Sequence, residues 1–286
     1  MAQPTALFAQ LDGRSESLSK TQRVLAKYLT DHYQAVAFST IRQLSRDAGV
    51  SEATIVRFAK ALNFRGYPEL QKEVRRIVRA DLKGTDRFKL TYAVREPQRK
   101  GALSAIIEKE IENISALQQS LASAALRQAA ALLCRAGDVL IVGSRSSAPL
   151  AEHLWFGLNK IEIGATRHLA VTTETFERLA RMDNRACLVV IGFPRYLREL
   201  VDVLEVAARG KARTLVITDS PYSALRGDVN LYAPAESATF VAAHCAPLIL
   251  INGLLHAVSA ADKSRTLGAL RRFEALAEGR AYFHAA

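Results

Sequence analysis

The chain has 286 residues and is 49% hydrophobic, which is enough for two domains with separate cores, and its formal net charge of +11 favours an anionic partner. Its first residues lack the basic segment and the long apolar stretch of a signal peptide, so we expect a cytoplasmic protein. Three widely spaced cysteines, each in an apolar run, indicate reduced core residues and exclude a disulfide framework. Residues 238–258 are mostly apolar, but Pro247 and three polar residues interrupt them, which favours a buried helix over a membrane span.

The first 80 residues predict a small all-helical domain. An amphipathic stripe predicts a lead helix over about 20–31, and residues 40–63 predict two short helices joined by a turn at Gly49. Apolar residues flank this glycine at the spacing with which a helix-turn-helix buries its inner faces, and glycine tolerates the positive φ of such a turn. These apolar positions are Leu44, Ala48, Val50, Ile55 and Phe58. A structural helical hairpin without DNA-binding function would have the same pattern.

The outer face of the second short helix carries the candidate DNA contacts. Ser51 stands where an N-cap residue is expected. Ala53, Thr54 and Arg57 are predicted to contact base edges, with Ser51 and Lys60 nearer to phosphates. Residues 1–80 contain 13 lysine and arginine residues against 7 acidic ones, a denser positive charge than in the rest of the chain. This charge favours double-stranded DNA as the partner.

A predicted turn at 66–68 leads into a basic helix over about 69–79. Its cations either flank a DNA backbone or form a solvated face, and the sequence leaves both interpretations open. These cations are Lys72, Arg75, Arg76 and Arg79. Residues 81–103 lose the apolar period and predict an interdomain linker.

Residues 104–286 predict an α/β domain. After a long helix over about 104–134, five strand-like runs alternate with helical patterns, which is typical of a parallel sheet with helices on both faces. The expected strands are 139–143, 166–171, 187–193, 213–218 and 229–233. The expected helices are 148–161, 174–182, 197–209, 237–260 and 262–278. Ligands of such sheets bind outside the carboxyl ends of the strands.

The loop after the first expected strand is the best candidate for a ligand site. Its sequence is Gly-Ser-Arg-Ser-Ser, and a helix follows, so hydroxyls, a guanidinium and helix N–H groups are available for a phosphate or carboxylate. Serines also cap helices without binding a ligand, so both roles stay open. The predicted ligand contacts in this loop are Ser144, Arg145, Ser146 and Ser147. The sequence contains no GxGxxG or P-loop motif and no histidines at metal-ligand spacing, so neither a cofactor nor a metal is expected.

Both halves of the chain resemble one family, the RpiR-type bacterial transcriptional regulators, in which a helix-turn-helix domain precedes a sugar isomerase (SIS) domain. The stretch LSRDAGVSEATIVRFAKALNFRGYPELQ at 44–71 is close to the family's most specific motif. The stretch IVGSRSSAPLAEHLWFGLNKI at 141–161 fits the SIS opening loop, with Ser147 at its characteristic serine. The resemblance covers about residues 5–280 and implies a helix-turn-helix domain over 1–80, a linker over 81–103 and a SIS domain over 104–286. It also implies that the SIS domain binds a phosphosugar or related metabolite and thereby alters DNA binding.

The chain departs from the family after the third expected strand. SIS domains usually carry Ser-x-Ser-Gly-x-Thr there, whereas residues 192–197 are Gly-Phe-Pro-Arg-Tyr-Leu. Arg195, expected to begin a helix, and Tyr196 are the predicted replacement donors. The effector is accordingly a phosphosugar, a carboxylate or an unphosphorylated sugar derivative.

These observations predict a DNA-binding regulator rather than an enzyme, assembled as a homodimer or homotetramer and sensing a carbohydrate-derived effector. The alternative is a sugar-phosphate isomerase with an accessory DNA-binding domain. Glu174 and Glu236, the latter expected just before a helix, are the carboxylates placed for proton transfer in that case. The missing hydroxyl loop weakens this alternative, because an isomerase must hold its substrate's phosphate to align the proton. A third possibility is an architectural DNA binder with an inert dimerisation domain.

Overall fold

The structure is a computed structural model of the chain. It describes Leu7, Leu11, residues 18–81, Thr85, residues 101–121, residues 123–280 and Tyr282. The chain divides into two compact units, residues 1–98 and 99–286. The domain boundaries at residues 80 and 103 stay predictions, since most of the expected linker lies outside the described residues.

The described part of the first unit is helical. Its helices are α1 (Lys20–Val36), α2 (Ile41–Ala48), α3 (Glu52–Ala61) and α4 (Tyr67–Asp81). Helix α1 is kinked at His32, whose φ of −129° and ψ of 26° are not helical, so the predicted end at residue 31 coincides with this kink. Beyond the kink the helix continues to the wholly buried Val36. Helix α4 begins two residues earlier than predicted. Pro68 lies in its first turn, where the missing N–H leaves no hydrogen bond unmade.

All four helices contribute to the core of this unit. Helix α1 packs on α2, α3 and α4, and α3 also contacts α2 and α4. Large side chains that are almost completely buried there are Leu25, Leu29, Leu44, Ile55, Phe58, Leu62, Leu70 and Ile77. This shared core holds the two short helices in a fixed relation to each other.

The second unit contains a parallel sheet, as predicted. Its five strands are β1 (Asp138–Val142), β2 (Ala165–His168), β3 (Ala186–Ile191), β4 (Arg213–Thr218) and β5 (Val229–Tyr232). They are ordered β2-β1-β3-β4-β5, and every neighbouring pair is parallel. Strands β2 and β3 end two or three residues before the predicted positions, because the chain turns out of the sheet there toward the next helix.

The helices of the second unit differ from the prediction in two places. They are α5 (Ala102–Ser120), α6 (Ser123–Arg135), α7 (Ala148–Lys160), α8 (Thr173–Arg181), α9 (Arg198–Arg209), α10 (Cys245–Ala261) and α11 (Lys263–Gly279). The single long helix over 104–134 is wrong, because the extended backbone of Leu121 ends α5 and lets α5 and α6 both pack on α10. The helix expected from 237 begins at Cys245 instead, which places Pro247 in its first turn.

Helices cover both faces of the sheet, because alternate strand residues enter two different cores. Ile141 and Val189 pack with side chains of α6, α7 and α10, whereas Leu140 and Val190 pack with side chains of α8 and α9. Strand β1 is followed by α7 on the first face and its neighbour β3 by α9 on the second. Chains that leave adjacent strands toward opposite faces open a crevice at the carboxyl ends of those strands, and this crevice is the usual ligand site of such sheets.

Candidate functional site

The turn between α2 and α3 has the geometry predicted for a helix-turn-helix. Gly49 adopts the left-handed conformation with φ of 65°, and the Val50 N–H donates to the Ser45 carbonyl at 3.0 Å. Ser45 Oγ returns a hydrogen bond to the Val50 carbonyl at 2.6 Å. An L side chain is strained at this φ, so glycine is the residue that the turn requires.

The outer face of α3 presents fewer contacts than predicted. Ala53, Arg57 and Lys60 are exposed, as a DNA-facing surface requires. Thr54 is buried instead, and its hydroxyl lies 2.9 Å from Ser51 Oγ and 3.5 Å from Arg57 Nη2. Ser51 Oγ also accepts from the Thr54 N–H at 3.2 Å, so it caps α3 as predicted. Thr54 therefore holds the start of the helix and leaves little surface for a base.

Helix α4 is tied to the end of α1 by side-chain hydrogen bonds. Arg75 Nε donates to the Ala37 carbonyl at 2.6 Å, and the Tyr67 hydroxyl donates to the Ser39 carbonyl at 2.7 Å. Burial raises the pKa of Tyr67 above its ordinary value, although the Arg75 charge opposes this shift. Arg75 thus ties α4 to the end of α1 while its side chain remains exposed, and Lys72 is exposed as well. The side chains of Arg76 and Arg79 lie outside the described residues.

The loop after β1 places a buried hydroxyl at the predicted ligand crevice. Ser144 is only 4% exposed, and its Oγ has no hydrogen-bond partner in the described part of the chain. Ser147 is also buried and immediately precedes α7, whereas Arg145 and Ser146 are exposed. Gly143 allows this packing, because a Cβ there would lie 2.8 Å from the Ala151 Cβ. The loop thus combines an unpaired hydroxyl with the N–H groups at the start of a helix, where anions bind favourably.

The loop after β3 provides one of its two predicted donors. Arg195 is exposed and has a φ of 69°, but it lies three residues before α9 and does not begin that helix as expected. Tyr196 donates its hydroxyl proton to the carboxylate of Asp219, which also accepts from Thr218 Oγ1 at 3.2 Å. Tyr196 is therefore engaged within the protein, and Arg195 is the donor available to an anion from this side.

His168 is the last residue of β2, beside the loop after β1, and the sequence pattern did not single it out. Its carbonyl accepts from the Gly143 N–H at 3.2 Å, and its Nδ1 lies 2.9 Å from Oγ1 of the completely buried Thr175. These contacts place the residue beside the β1 loop. The strand predicted to run to residue 171 ends three residues earlier, at His168. A correct prediction of the end of β2 would have placed His168 beside the loop after β1.

The cysteines and Glu236 lie outside the loops after β1 and β3. Burial raises the pKa of the Cys187 thiol to about 12, which fits the predicted core residue. Cys245 is exposed, however, so its predicted core position is wrong, since it lies at the solvent-facing start of α10. No group of His, Cys, Asp or Glu within the described residues is arranged to hold a metal. Glu236 is not followed by a helix and pairs with Lys109 at 3.0 Å.

Comparison with known proteins now decides between the hypotheses. A model of the helix-turn-helix domain of the rpiR family matches residues 5–78, and a model of the SIS domain matches residues 132–257. The chain therefore carries an rpiR-family helix-turn-helix domain followed by a SIS domain. The order of its two domains is the one that the residues at 44–71 and 141–161 predicted.

Named relatives of this chain are transcriptional regulators, which supports a regulator rather than an isomerase. The HTH-type transcriptional regulator HexR of Pseudomonas aeruginosa is 27% identical over 221 residues, covering 74% of this chain and 73% of HexR. The uncharacterised HTH-type transcriptional regulator YbbH of Bacillus subtilis is 24% identical over 280 residues, covering 92% of this chain and 94% of YbbH.

Solved structures confirm the fold of this chain. The sugar isomerase domain of an RpiR transcription factor from Sphaerobacter thermophilus is 27% identical, with a TM-score of 0.57, and covers 59% of this chain and 96% of that one. The NanR protein of Vibrio vulnificus, complexed with ManNAc-6P, is 17% identical with a TM-score of 0.60, covering 96% of this chain and 98% of NanR. Among the described helices, none is by itself long and apolar enough to cross a membrane, and α10 with α11 passes that test only as a pair bent by 103°.

Proposed function

We propose that this regulator binds a phosphosugar or a related anionic carbohydrate metabolite in the crevice between β1 and β3, and that this binding alters its affinity for DNA. The observation that carries the proposal is the buried, unpaired Oγ of Ser144. A buried hydroxyl without a partner costs about 1–3 kcal/mol, so such a group is expected to have one in the functional state. A ligand oxygen above the start of α7 would provide that partner.

The charge of the crevice favours an anion. The N–H groups at the start of α7 attract negative charge, and Arg195 approaches from the neighbouring strand with an exposed guanidinium. The hydroxyl-rich loop that SIS domains usually carry after β3 is absent, so the guanidinium shares the anion with Ser144, Ser146 and Ser147. Arg145 lies at the rim of the same loop. The NanR relative, complexed with ManNAc-6P, supports a phosphosugar as the first class of effector to test.

DNA contacts are proposed for the exposed residues of α3. Arg57 has the donor geometry for a guanine edge, Ala53 leaves room for the helix to approach the major groove, and Lys60 lies near a phosphate. Ser51 and Thr54 act indirectly, because their hydrogen bonds fix the start of the helix that enters the groove.

The functional form is proposed to be a homodimer. One helix-turn-helix covers only a few base pairs, so useful specificity needs two copies on a pseudo-palindromic duplex. Helix α5 presents a one-sided row of exposed apolar residues at a spacing of four, Leu103, Ile107 and Ile111. A symmetric contact between two such rows would bury them, because an isologous interface uses the same patch on both copies. A tetramer would need a second contact surface as well.

Thermal unfolding of the full chain tests the effector site. Glucose 6-phosphate, fructose 6-phosphate, N-acetylmannosamine 6-phosphate and unphosphorylated glucuronate are added in turn, and one of them is expected to raise the unfolding temperature by several degrees. A ligand at 100 times its dissociation constant adds about 2.7 kcal/mol. Ser144→Ala and Arg195→Ala should each weaken binding of that compound more than tenfold. Ser259→Ala is the matched control, since its hydroxyl bonds the Leu255 carbonyl within α10. Equal shifts in all three variants would remove the site assignment.

Sedimentation and DNA binding test the dimer. A duplex selected from a random pool is expected to be pseudo-palindromic, and Ile107→Glu should convert the chain to a monomer that binds it much more weakly. The control Leu276→Glu changes an exposed apolar residue on α11 and should leave the assembly intact. A monomeric wild-type protein that binds one half-site at full affinity would contradict the proposal.

A further inference from the structure

Helix α5 is hydrogen-bonded to the segment that joins β5 to α10, residues 233–244, which we call the β5–α10 segment. The side-chain amide of Asn113 donates from Nδ2 to the Glu236 carbonyl at 2.8 Å and accepts at Oδ1 from the Glu236 N–H at 3.3 Å. Asn113 is only 3% exposed. A single buried side chain therefore satisfies both backbone groups of a residue more than 120 positions away in sequence.

An ion pair makes a second contact between α5 and Glu236. Lys109 Nζ lies 3.0 Å from Glu236 Oε2 and 2.6 Å from Glu112 Oε2. The side chains of Lys109 and Glu236 are only 24% and 26% exposed, so this pair is screened less than a surface pair. Burial lowers the pKa of Lys109, but the two carboxylates outweigh burial and hold this pKa above its ordinary value.

Glu110 lies at the other end of the segment, next to the start of α10. It faces His244 and Cys245: burial lowers the pKa of His244 against the opposing charge of Glu110, and burial together with Glu110 raises the pKa of Cys245. Oε2 of Glu110 is buried and accepts no hydrogen bond from the described part of the chain. Three α5 residues thus contact both ends of the β5–α10 segment. We call Lys109, Glu110 and Asn113 the α5 clasp.

The β5–α10 segment lies at the ligand edge of the sheet. It begins at the carboxyl end of β5 and ends at the start of α10. His153 Nε2 lies 2.7 Å from Asn252 Oδ1, and further along both helices Gly157 packs against Leu255. Because the contacts advance in the same direction on both helices, α7 and α10 run parallel and begin at the same edge. That edge carries Ser144 and the proposed effector.

Helix α5 is also the first helix of the second unit that the structure describes, and the chain between it and α4 is residues 82–101. Of the described helices of the second unit, α5 is therefore the nearest in sequence to the helix-turn-helix. No other described helix of the second unit both precedes the sheet and makes hydrogen bonds to a segment at its ligand edge.

We propose that α5 couples the two units: the α5 clasp senses the position of the β5–α10 segment, which changes when an effector occupies the crevice, and α5 passes that change to the DNA-binding unit. This proposal rests on the proposed function. Coupling between two sites requires an element whose state both sites influence, and it is reciprocal, so DNA binding must also alter the β5–α10 segment. Lys109 and Asn113 act through Glu236 and are positioning residues rather than effector contacts.

The first test compares DNA affinity with and without effector in clasp variants. Fluorescence anisotropy with the selected duplex is measured at one salt concentration, in buffer and with whichever phosphosugar stabilised the wild-type chain. The wild-type affinity is expected to change at least fivefold, a typical size for such coupling. Lys109→Met and Glu236→Gln should each reduce the change to less than twofold, while the affinities for DNA alone and phosphosugar alone stay within threefold of wild type.

Two further variants separate coupling from simple loss of structure. The exchanged pair Lys109→Glu with Glu236→Lys restores opposite charges and should recover at least half of the response on a logarithmic scale. Lys160→Met removes an exposed lysine of α7 and is the matched control for Lys109→Met. A full response in both single variants would overturn the clasp, as would an exchanged pair that is no better than either of them.

Hydrogen exchange provides a readout that needs no effector. DNA binding to wild-type protein is expected to change exchange in residues 236–245 and in α5, and Asn113→Asp, which loses the donor but keeps the acceptor, should abolish the change in 236–245. An unchanged response in Asn113→Asp contradicts the clasp alone. A wild-type chain that selects no duplex, or that none of the four compounds stabilises, contradicts the proposed function, and the clasp is rejected with it.

Discussion

The recognition helix and the ligand crevice use serine hydroxyls in opposite ways. Ser51 Oγ accepts from the Thr54 N–H and bonds the Thr54 hydroxyl, so every one of these groups is engaged in holding α3. Ser144 Oγ is buried and has no partner among the described residues. At the start of α3, the hydroxyl groups are hydrogen-bonded within the protein without DNA, and the exposed cations are the groups proposed to contact DNA. In the ligand crevice, by contrast, the Ser144 hydroxyl lacks a hydrogen bond within the described residues, and we propose that a ligand supplies it.

The largest effect is expected from a substitution in the hydrophobic core of the first unit. Phe58→Ala removes a fully buried ring from α3, the helix that contacts α1, α2 and α4, and it should destabilise the first unit by about 3–5 kcal/mol. Hydrogen exchange should show residues 20–81 opening while strands β1, β3 and β4 stay protected. Phe38→Ala is the control, because Phe38 is 69% exposed and its loss should cost less than about 0.5 kcal/mol. Equal loss of protection in both units would contradict two separate cores.

The next effect concerns DNA affinity and tests whether α3 works through its exposed cations. Arg57→Ala should weaken binding to the selected duplex by about 1–3 kcal/mol and relax the preference at one base position. Lys60→Ala should weaken binding to all sequences alike and reduce the slope of log affinity against log salt by about one. Anisotropy against single-base variants of the duplex distinguishes the two. A uniform loss in Arg57→Ala would make this residue a phosphate contact.

The two serines themselves give the most direct test of the comparison. Ser51→Ala removes an engaged cap and should lower the free energy of unfolding of the first unit by about 0.5–2 kcal/mol. Ser144→Ala removes an unpaired buried hydroxyl, so the second unit without effector should be as stable as wild type or slightly more stable. Denaturant unfolding of both variants, followed in each unit by hydrogen exchange, measures this. A loss of stability in Ser144→Ala comparable to that in Ser51→Ala would mean that this hydroxyl is engaged inside the protein.

Local sequence features predicted most of the fold. The strand alternation with helices follows from short runs of Val, Ile and Leu, and the turn at Gly49 with the cap at Ser51 follows from contacts within a few residues. The errors at 121 and 237–244 arise where one helix ends and another begins for reasons of packing rather than composition. Apolar period alone does not distinguish one long helix from two that pack on the same neighbour.

The position of the candidate site on the backbone was predictable from the sequence. The hydrogen-bond partners of its side chains were much less so. Ser144 and its loop follow from a glycine, three serines and the start of a helix. The engagement of Tyr196 with Asp219 and of Asn113 with Glu236 joins residues 23 and 123 positions apart, and no local pattern encodes such pairs. Thr54 shows the same limit on a smaller scale, since a polar residue on the expected outer face turned inward to its own cap.

The smallest effect concerns the backbone of Arg195. The resemblance to SIS domains aligns this residue with the glycine of their hydroxyl loop, and its φ of 69° retains the conformation that glycine adopts easily. A non-glycine residue in the left-handed region costs roughly 1–2 kcal/mol, while glycine loses about 0.4–1 kcal/mol through the greater freedom of the unfolded chain. Arg195→Gly should therefore stabilise the second unit by about 0.5 kcal/mol. Arg195→Ala keeps the strain and should leave stability unchanged.

Both variants lack the guanidinium, so their affinities for the phosphosugar should fall equally, and only their stabilities should differ. Denaturant unfolding without effector, with wild-type protein beside the two variants, resolves the difference. A more stable Arg195→Gly with the same loss of binding would mean that the loop sacrifices stability to hold a cation at the crevice. If Arg195→Gly were no more stable than Arg195→Ala, the left-handed conformation would have no measurable cost in folding stability. Arg195 would then be like the satisfied residues of α3 and unlike Ser144, whose hydroxyl lacks a partner among the described residues.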